Sequence, residues 1–332
     1  MFLGKISSDN NKILLNVLDS NRCDGIDGLI RNLYPQDNGH HRLFSTQRES
    51  SFIMLDLLFF LLSDLGFCSL NEISQCWKTL EFIKYLLKSK LITFIVDVCK
   101  YHHAEISHYA AQVLSTPTVT TERYYIDKLC HRHLQDGIKT EVGSGWLLYG
   151  SFYYVSMQFN VTLKLTDYVM SRSSPDMVPI GCHRYDDRHI SYYRNHVNST
   201  MTLHDKMRMA VVNMVKYVQN SSLIPKELQQ EVKGQFISIS PSVMSHCLRF
   251  LCYHHIDEII NRQQALRDLY STVKGNTLIT TNTLSNSIAI LGVCFEIADD
   301  KNTAYQCYGE ALQCDSLICA TAEARRSNLL TC

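Results

Sequence analysis

Proline and glycine are scarce, 6 and 14 in 332 residues. A β-rich or loop-rich chain needs more of both at its turns, so long helices are expected. Neither sign of charge is in excess, with Lys plus Arg and Asp plus Glu both at 32. That balance lacks the electrostatic footprint of a nucleic-acid binder and leaves a protein as the expected, unidentified partner. The 13 cysteines are odd in number and contain no Cys-x-x-Cys. With no secretory signal over Met1–Lys5, they read as reduced, mostly buried thiols of a cytoplasmic protein. Three Asn-x-Ser/Thr triplets, at Asn160, Asn198 and Asn220, then read as chance. The longest apolar run, FIMLDLLFFLL at 52–62, is interrupted by Asp56 and closed by Ser63 and Asp64. It falls short of the ~20 residues a membrane span needs, so a buried core helix is expected and no membrane partner.

Hydrophobic residues at 45% and charged residues at 19% describe an ordinary globular chain. The polar stretch Pro35–Ser50 reads as a loop behind a short helix from Asn10 to Leu18. Apolar spacing near 3.6 then recurs in Asn71–Leu87, Leu91–Tyr109 and Glu122–Leu134, with a break at Ser115-Thr116-Pro117. Further helices are expected over Asp186–Val197, Leu203–Gln219 and Pro225–Lys233, beyond a loop at Ser173–Arg184 that holds two prolines and Gly181. Pro241 suits the first turn of a helix to His255, and Ile256–Val273 would be its antiparallel partner with Ala265 and Leu269 inward. Phe236–Ser240 alternates like a strand, but no partner strand is visible.

The stretch at 285–318, SNSIAILGVCFEIADDKNTAYQCYGEALQCDSLI, carries a more specific signal. Leu291, Gly292, Phe295, Ala304, Tyr308 and Ala311 fall at the offsets of the 34-residue tetratricopeptide pattern, with Asp315 behind them and Ser316 where a proline is usual. Small residues let two antiparallel helices approach, so Gly292 should face Ala304 while Leu291, Phe295 and Tyr308 fill the surrounding space. Asp299 and Asp300 should make the turn and cap a second helix from Lys301. Trp146, Gly150 and Tyr153 repeat the first-helix spacing inside a degenerate repeat at 142–175, whose second helix has Thr162 at the small position. The fold class expected is all-α, an α-solenoid of tetratricopeptide-like helical hairpins over 51–332.

Several stretches resemble one family. They are MFLGKI at 1–6, VCKYHHAEI at 98–106, HLQDG at 133–137, SGWLLY at 144–149 and SHCLRFLCYHH at 245–255, together with the hairpin above. By these the chain resembles the C-terminal half of bivalve proteins whose N-terminal half is a Mab-twenty-one-like domain related to cyclic GMP-AMP synthase. The resemblance implies that 1–50 closes a preceding helical lobe and that the remainder is a tetratricopeptide-like superhelix. Nucleotidyl transfer in such families needs a Gly-Ser loop followed by an acidic-x-acidic strand to hold two metal ions. Gly143-Ser144 and Gly150-Ser151 are present, but no Asp or Glu is followed two positions later by another, and no phosphate loop of the Gly-x-x-x-x-Gly-Lys kind occurs. The expectation is a non-catalytic interaction scaffold or regulatory arm without a cofactor. The alternative is a fragment of a synthase-like nucleotidyltransferase whose catalytic half is missing from this chain.

Two side-chain groupings invite a chemical reading. Cys99, His102, His103, His108, Cys130, His131 and His133 are zinc-ligand types on two neighbouring helices. Without paired cysteines, packing thiols and partly solvated histidines are the plainer account, and no metal site is assigned. No cysteine is marked out as an activated nucleophile either. The second grouping is Arg184, Arg188, Tyr192 and His196 at four-residue spacing, with His189 and Tyr193 interleaved. Such a stripe is either a partner-contact surface or a solvated helix face with tyrosines half in the core. Finally Ala289, Val293 and Ile297 take the first-helix positions where chaperone-binding repeats carry Lys, Arg and Asn, so no carboxylate clamp is expected.

Overall fold

The computed structural model describes residues 73–88, 93–114, 120–138, 143–179, 187–198, 200–275, 281–314 and 321–331. The chain divides into units at 1–59 and 60–332, and every described residue belongs to the second. The expected helix at 10–18, loop at 35–50 and core helix at 52–62 therefore lie outside the described residues, as do Arg184, Asp315 and Ser316.

The described residues are mostly helical. In order come α1 (Ile73–Lys88), α2 (Thr93–Val113), α3 (Thr120–Gly137), α4 (Ser144–Val155), α5 (Phe159–Arg172), α6 (Asp187–His196), α7 (Leu203–Ala210), α8 (Pro241–His255), α9 (Ile259–Lys274), α10 (Thr281–Ile297), α11 (Lys301–Leu312) and α12 (Ala322–Thr331). Pairs α1/α2, α2/α3, α4/α5, α8/α9 and α10/α11 pack together, α8 packs on α4 and α5, α10 on α8 and α9, and α12 on α11.

Three of these pairs close with the same turn. Ser156-Met157-Gln158, Ile256-Asp257-Glu258 and Ala298-Asp299-Asp300 each place the middle residue in the left-handed region, at φ 61, 58 and 66°. In each, the third amide donates to the carbonyl five residues back: Gln158 to Tyr153 at 2.8 Å, Glu258 to Tyr253 at 3.0 Å and Asp300 to Phe295 at 2.9 Å. These are Schellman closures, which satisfy the last carbonyls of the first helix and turn the chain at once into the second. Asp300 adds the expected cap, its carboxylate accepting from the Thr303 amide at 3.0 Å and hydroxyl at 2.7 Å.

With the turns superposed in register, the same positions are buried in all three pairs. Leu148, Leu248 and Ile290 coincide, as do Val169, Leu269 and Ala311, all at most 2% exposed. At the small-residue contact the Tyr308 ring stands nearest to the motif glycine. A Cβ on Gly292 would meet the Tyr308 ring at 2.7 Å and Cys307 Cβ at 3.2 Å, because the Tyr308 ring fills the gap left by the missing side chain. Thr162 is also accommodated: fully buried, it donates its hydroxyl to the Gly150 carbonyl at 2.9 Å.

Between α5 and α8 the helical expectation holds for α6 and the start of α7 but fails beyond Ala210. The helix expected over Leu203–Gln219 stops at Ala210, and Val211, Val215 and Tyr217 instead point into the core at the two-residue period of strands. β1 (Val178–Pro179), inside the expected loop, pairs in parallel with β2 (Val211–Val212). β3 (Val215–Tyr217) pairs antiparallel with β4 (Ile237–Ile239), which supplies the partner missing from the alternating Phe236–Ser240 stretch. The expected helix Pro225–Lys233 is a 3-10 helix, Lys226–Val232.

Candidate functional site

The segment from β3 to β4 lies across the first helices of the hairpins. Gln112 of α2 grips it with a side chain that donates to the Lys216 carbonyl at 3.0 Å and accepts from the Val218 amide at 3.0 Å and the Ser221 hydroxyl at 2.9 Å. Ser151 of α4 meets the Tyr217 hydroxyl at 2.5 Å, and Asn286 of α10 reaches the Ser238 carbonyl at 3.4 Å. Tyr217, Leu228 and Ile239 are fully buried. Ala289 and Val293, two of the three positions compared with a carboxylate clamp, are buried as well. The sides of α4 and α10 that this segment contacts are covered by the chain's own backbone.

An open cleft of about 310 Å³ remains at the edge of that cover, lined by Glu227, Val293, Glu296, Ile297 and Arg325. Its walls come from the last turn of α10, the 3-10 helix and α12. Behind it sits a buried ion pair, Arg325 Nε to Glu231 Oε1 at 2.7 Å, with Thr321 donating to the other oxygen of Glu231. Arg325 also donates to the Glu227 carbonyl at 2.9 Å and lies 3.6 Å from Glu296. Tyr308 donates to Glu296 at 2.6 Å and Tyr154 to Glu227 at 3.0 Å. Burial first, then the glutamate beside it, pushes each phenol up. Both hydroxyls therefore stay protonated and serve as donors, not as bases. His255 completes the group, 2.9 Å from the Tyr154 hydroxyl and 3.2 Å from Glu227, its ring stacked on Phe159 at 5.0 Å. Of this network only Tyr308 was marked by the repeat pattern. Tyr154 and Glu296 occupy the same place, three residues before the left-handed turn residue, and that shared position was the available signal.

The predicted stripe falls on α6 and is only partly a surface. Arg188 and His196 are exposed, and His189 and Tyr192 half-buried. Tyr192 stacks on His196 with centroids 3.9 Å apart. Tyr193 is 1% exposed, so it is a core side chain and not a contact group; one helical step from Tyr192 turns it inward.

The cysteine and histidine grouping is dispersed. His131 bonds the Tyr149 hydroxyl at 2.9 Å, and His133 packs on Trp77 at 4.9 Å. His108 fills a slot made by two glycines: a Cβ on Gly137 would lie 1.9 Å from its Nε2, and one on Gly145 2.7 Å away. Cys130 donates to the Ala111 carbonyl, and burial pushes its thiol up to about 12. Cys252 is likewise pushed to about 12, and Cys76 and Cys307 to about 11. Among the described residues no three His, Cys, Asp or Glu side chains converge as a metal site, and no helix is long and apolar enough to cross a membrane.

No family model, curated protein or solved structure matches this chain. The functional reading therefore rests on its own geometry.

Proposed function

We propose that the chain is a non-catalytic helical-repeat scaffold, an α-solenoid of tetratricopeptide-like hairpins that binds a protein partner in the cytoplasm. By its resemblance it would serve as the regulatory arm of a Mab-twenty-one-like protein. The observation that carries the reading is the repetition of one hairpin: three pairs with the same left-handed closure, the same buried register and direct packing of each pair on the next. Repetition of that kind builds extended surface from units that touch only their neighbours. The character of the polar groups supports it. Burial pushes the Cys130 and Cys252 thiols up, and the Tyr154 and Tyr308 hydroxyls are committed to carboxylates, which suits packing more than proton transfer or nucleophilic attack.

The exposed side of α6 is the contact surface in this reading, through Arg188, His189, Tyr192 and His196. A planar cation and a stacked aromatic pair supply directional bonds and contact area together. The test is capture of a stoichiometric cytosolic partner by the purified chain and by an Arg188→Ala, Tyr192→Ala variant. The reading expects an unchanged circular dichroism spectrum and binding weakened by ~2 kcal/mol or more. Full binding with lost stability would make the stripe a folding element. A chain that captures nothing would remove the scaffold reading itself.

A further inference from the structure

Among the described cysteines, Cys247 in the middle of α8 and Cys294 near the end of α10 bring sulfur to sulfur, 3.9 Å apart. Both are fully buried. They belong to the first helices of neighbouring hairpins, and α8 packs directly on α10, so the contact lies on the seam that joins one repeat to the next. Two thiols at that separation are in van der Waals contact and gain at most a weak hydrogen bond. Cys130 and Cys314 are engaged differently, each donating to a backbone carbonyl, of Ala111 and Glu310. A disulfide would require the two sulfurs to close to about 2 Å, a change within reach of side-chain rotation and a slight approach of the helices.

We infer that Cys247 and Cys294 form a redox-sensitive staple: a peroxide converts the pair into a disulfide that ties the α8/α9 hairpin to the α10/α11 hairpin, and a thiol reductant releases it. With hydrogen peroxide as the oxidant the step balances. One cysteine, as its thiolate, attacks a peroxide oxygen and becomes a sulfenic acid, and the hydroxide released takes up the proton that the thiol lost. The second sulfur then attacks the sulfenic sulfur and expels its hydroxyl, which leaves as water with the second thiol proton. Two thiols thereby lose two electrons, and one peroxide becomes two waters. Burial keeps the pair reduced while the seam is closed, because it pushes the Cys294 thiol up and Cys247 beside it adds to the shift. Oxidation therefore waits on local opening of the seam, and reclosing sets a sulfenic acid on either cysteine against the other sulfur. The curvature of a helical array follows from the rotation of each unit on the next, so the staple would fix that rotation at one seam. The inference goes beyond the scaffold reading and holds whichever partner the scaffold takes.

The test uses the folded full chain, incubated with hydrogen peroxide until the number of free thiols is steady, quenched with catalase, and unfolded in an alkylating agent for peptide mapping by mass spectrometry. The expected product is the Cys247 peptide joined to the Cys294 peptide, about 2 Da lighter than the two thiol peptides together and separated again by dithiothreitol. Urea well below the unfolding transition should speed its formation, as a locally opening seam requires. The oxidised chain should melt higher by roughly 5 °C or more, and reductant should abolish the rise. Cys294→Ala should lose both the linked peptide and the reductant-sensitive rise. The map of the unaltered chain decides the matter even where that variant is too unstable to compare. Recovery of Cys247 and Cys294 as alkylated thiols once oxidation has stopped would overturn the inference and leave them as packing groups. So would their recovery as separate sulfinic acids, or each linked to some other cysteine. None of these outcomes bears on capture of a partner through α6.

Discussion

Replacing Arg325 by Met removes the guanidinium that meets Glu231 and Glu296 while keeping most of the aliphatic volume of the stem. Glu231 is fully buried and Arg325 is 9% exposed, so solvent does little to screen the pair. Removing one partner of a buried ion pair strands the other charge, at a cost of about 3–5 kcal/mol. The 3.6 Å contact with Glu296 is better solvated and adds at most ~1 kcal/mol. At about 2–4 °C per kcal/mol for a domain of this size class, the melting temperature should drop by roughly 6–20 °C. Urea denaturation followed by circular dichroism gives the free energy directly. Glu231→Gln keeps an acceptor for Thr321 and removes the charge, so the double variant should lose less than the sum of the singles, with a coupling of about 1–3 kcal/mol. A loss under ~1 kcal/mol for Arg325→Met, or strictly additive losses, would show that the pair is solvated and that α12 is not anchored through it.

The two motif glycines should respond with opposite sign. Gly150→Ala meets nothing closer than 3.8 Å and should stabilise by about 0.5–1 kcal/mol, whereas Gly292→Ala drives a Cβ to 2.7 Å from the Tyr308 ring and should cost about 1–3 kcal/mol in thermal denaturation. Gly137→Ala, which collides with the His108 ring, should be more damaging than Gly292→Ala, and His108→Ala in the same chain should recover part of the loss. Burial pushes the His133 imidazole below its ordinary value of 6.5, and neither ring nitrogen has a hydrogen-bond partner. The unfolded chain therefore takes up a proton that the folded one resists. Stability should fall as pH drops below 6.5 toward the lowered folded value, and His133→Phe beside Trp77 should flatten that slope in pH-resolved melts. An acidic chaperone C-terminal peptide should show no binding by calorimetry, since Ala289 and Val293 are buried and Asn286 is engaged by the β3–β4 segment.

Helices were legible wherever one face alone is buried, and one hairpin was legible in detail because Leu291, Gly292, Phe295 and Ala304 keep a known pattern. The α8/α9 pair has the same turn and the same inward positions, but Phe250 and Arg262 stand where the pattern has its small residues. Helical phase revealed that pair, while its kinship to the others appears only in the backbone. The β3–β4 segment was hidden for a different reason. Its strands are three residues long and find each other across nineteen intervening residues, and what fixes them is Gln112 on a remote helix, a contact without local periodicity. The α6 stripe was legible as composition but not as orientation, so Tyr193 was counted with the surface although it belongs to the core. The Tyr154, His255, Glu227 and Arg325 network joins residues from four elements, and only the fold brings them together.

The central claim is that the first-helix face is closed by the chain's own 215–239 segment, which leaves α6 as the proposed contact surface. Native-state hydrogen exchange resolved along the sequence tests it most directly, because buried amides open only with the unit they belong to. The amides of Val215, Tyr217, Ile237 and Ile239 should exchange as slowly as those in the middle of α4, α8 and α10, with the same dependence on denaturant. Fast, denaturant-independent exchange in that segment while the helices stay protected would mean that it lifts away from the folded hairpins, leaving their first-helix face open to a partner.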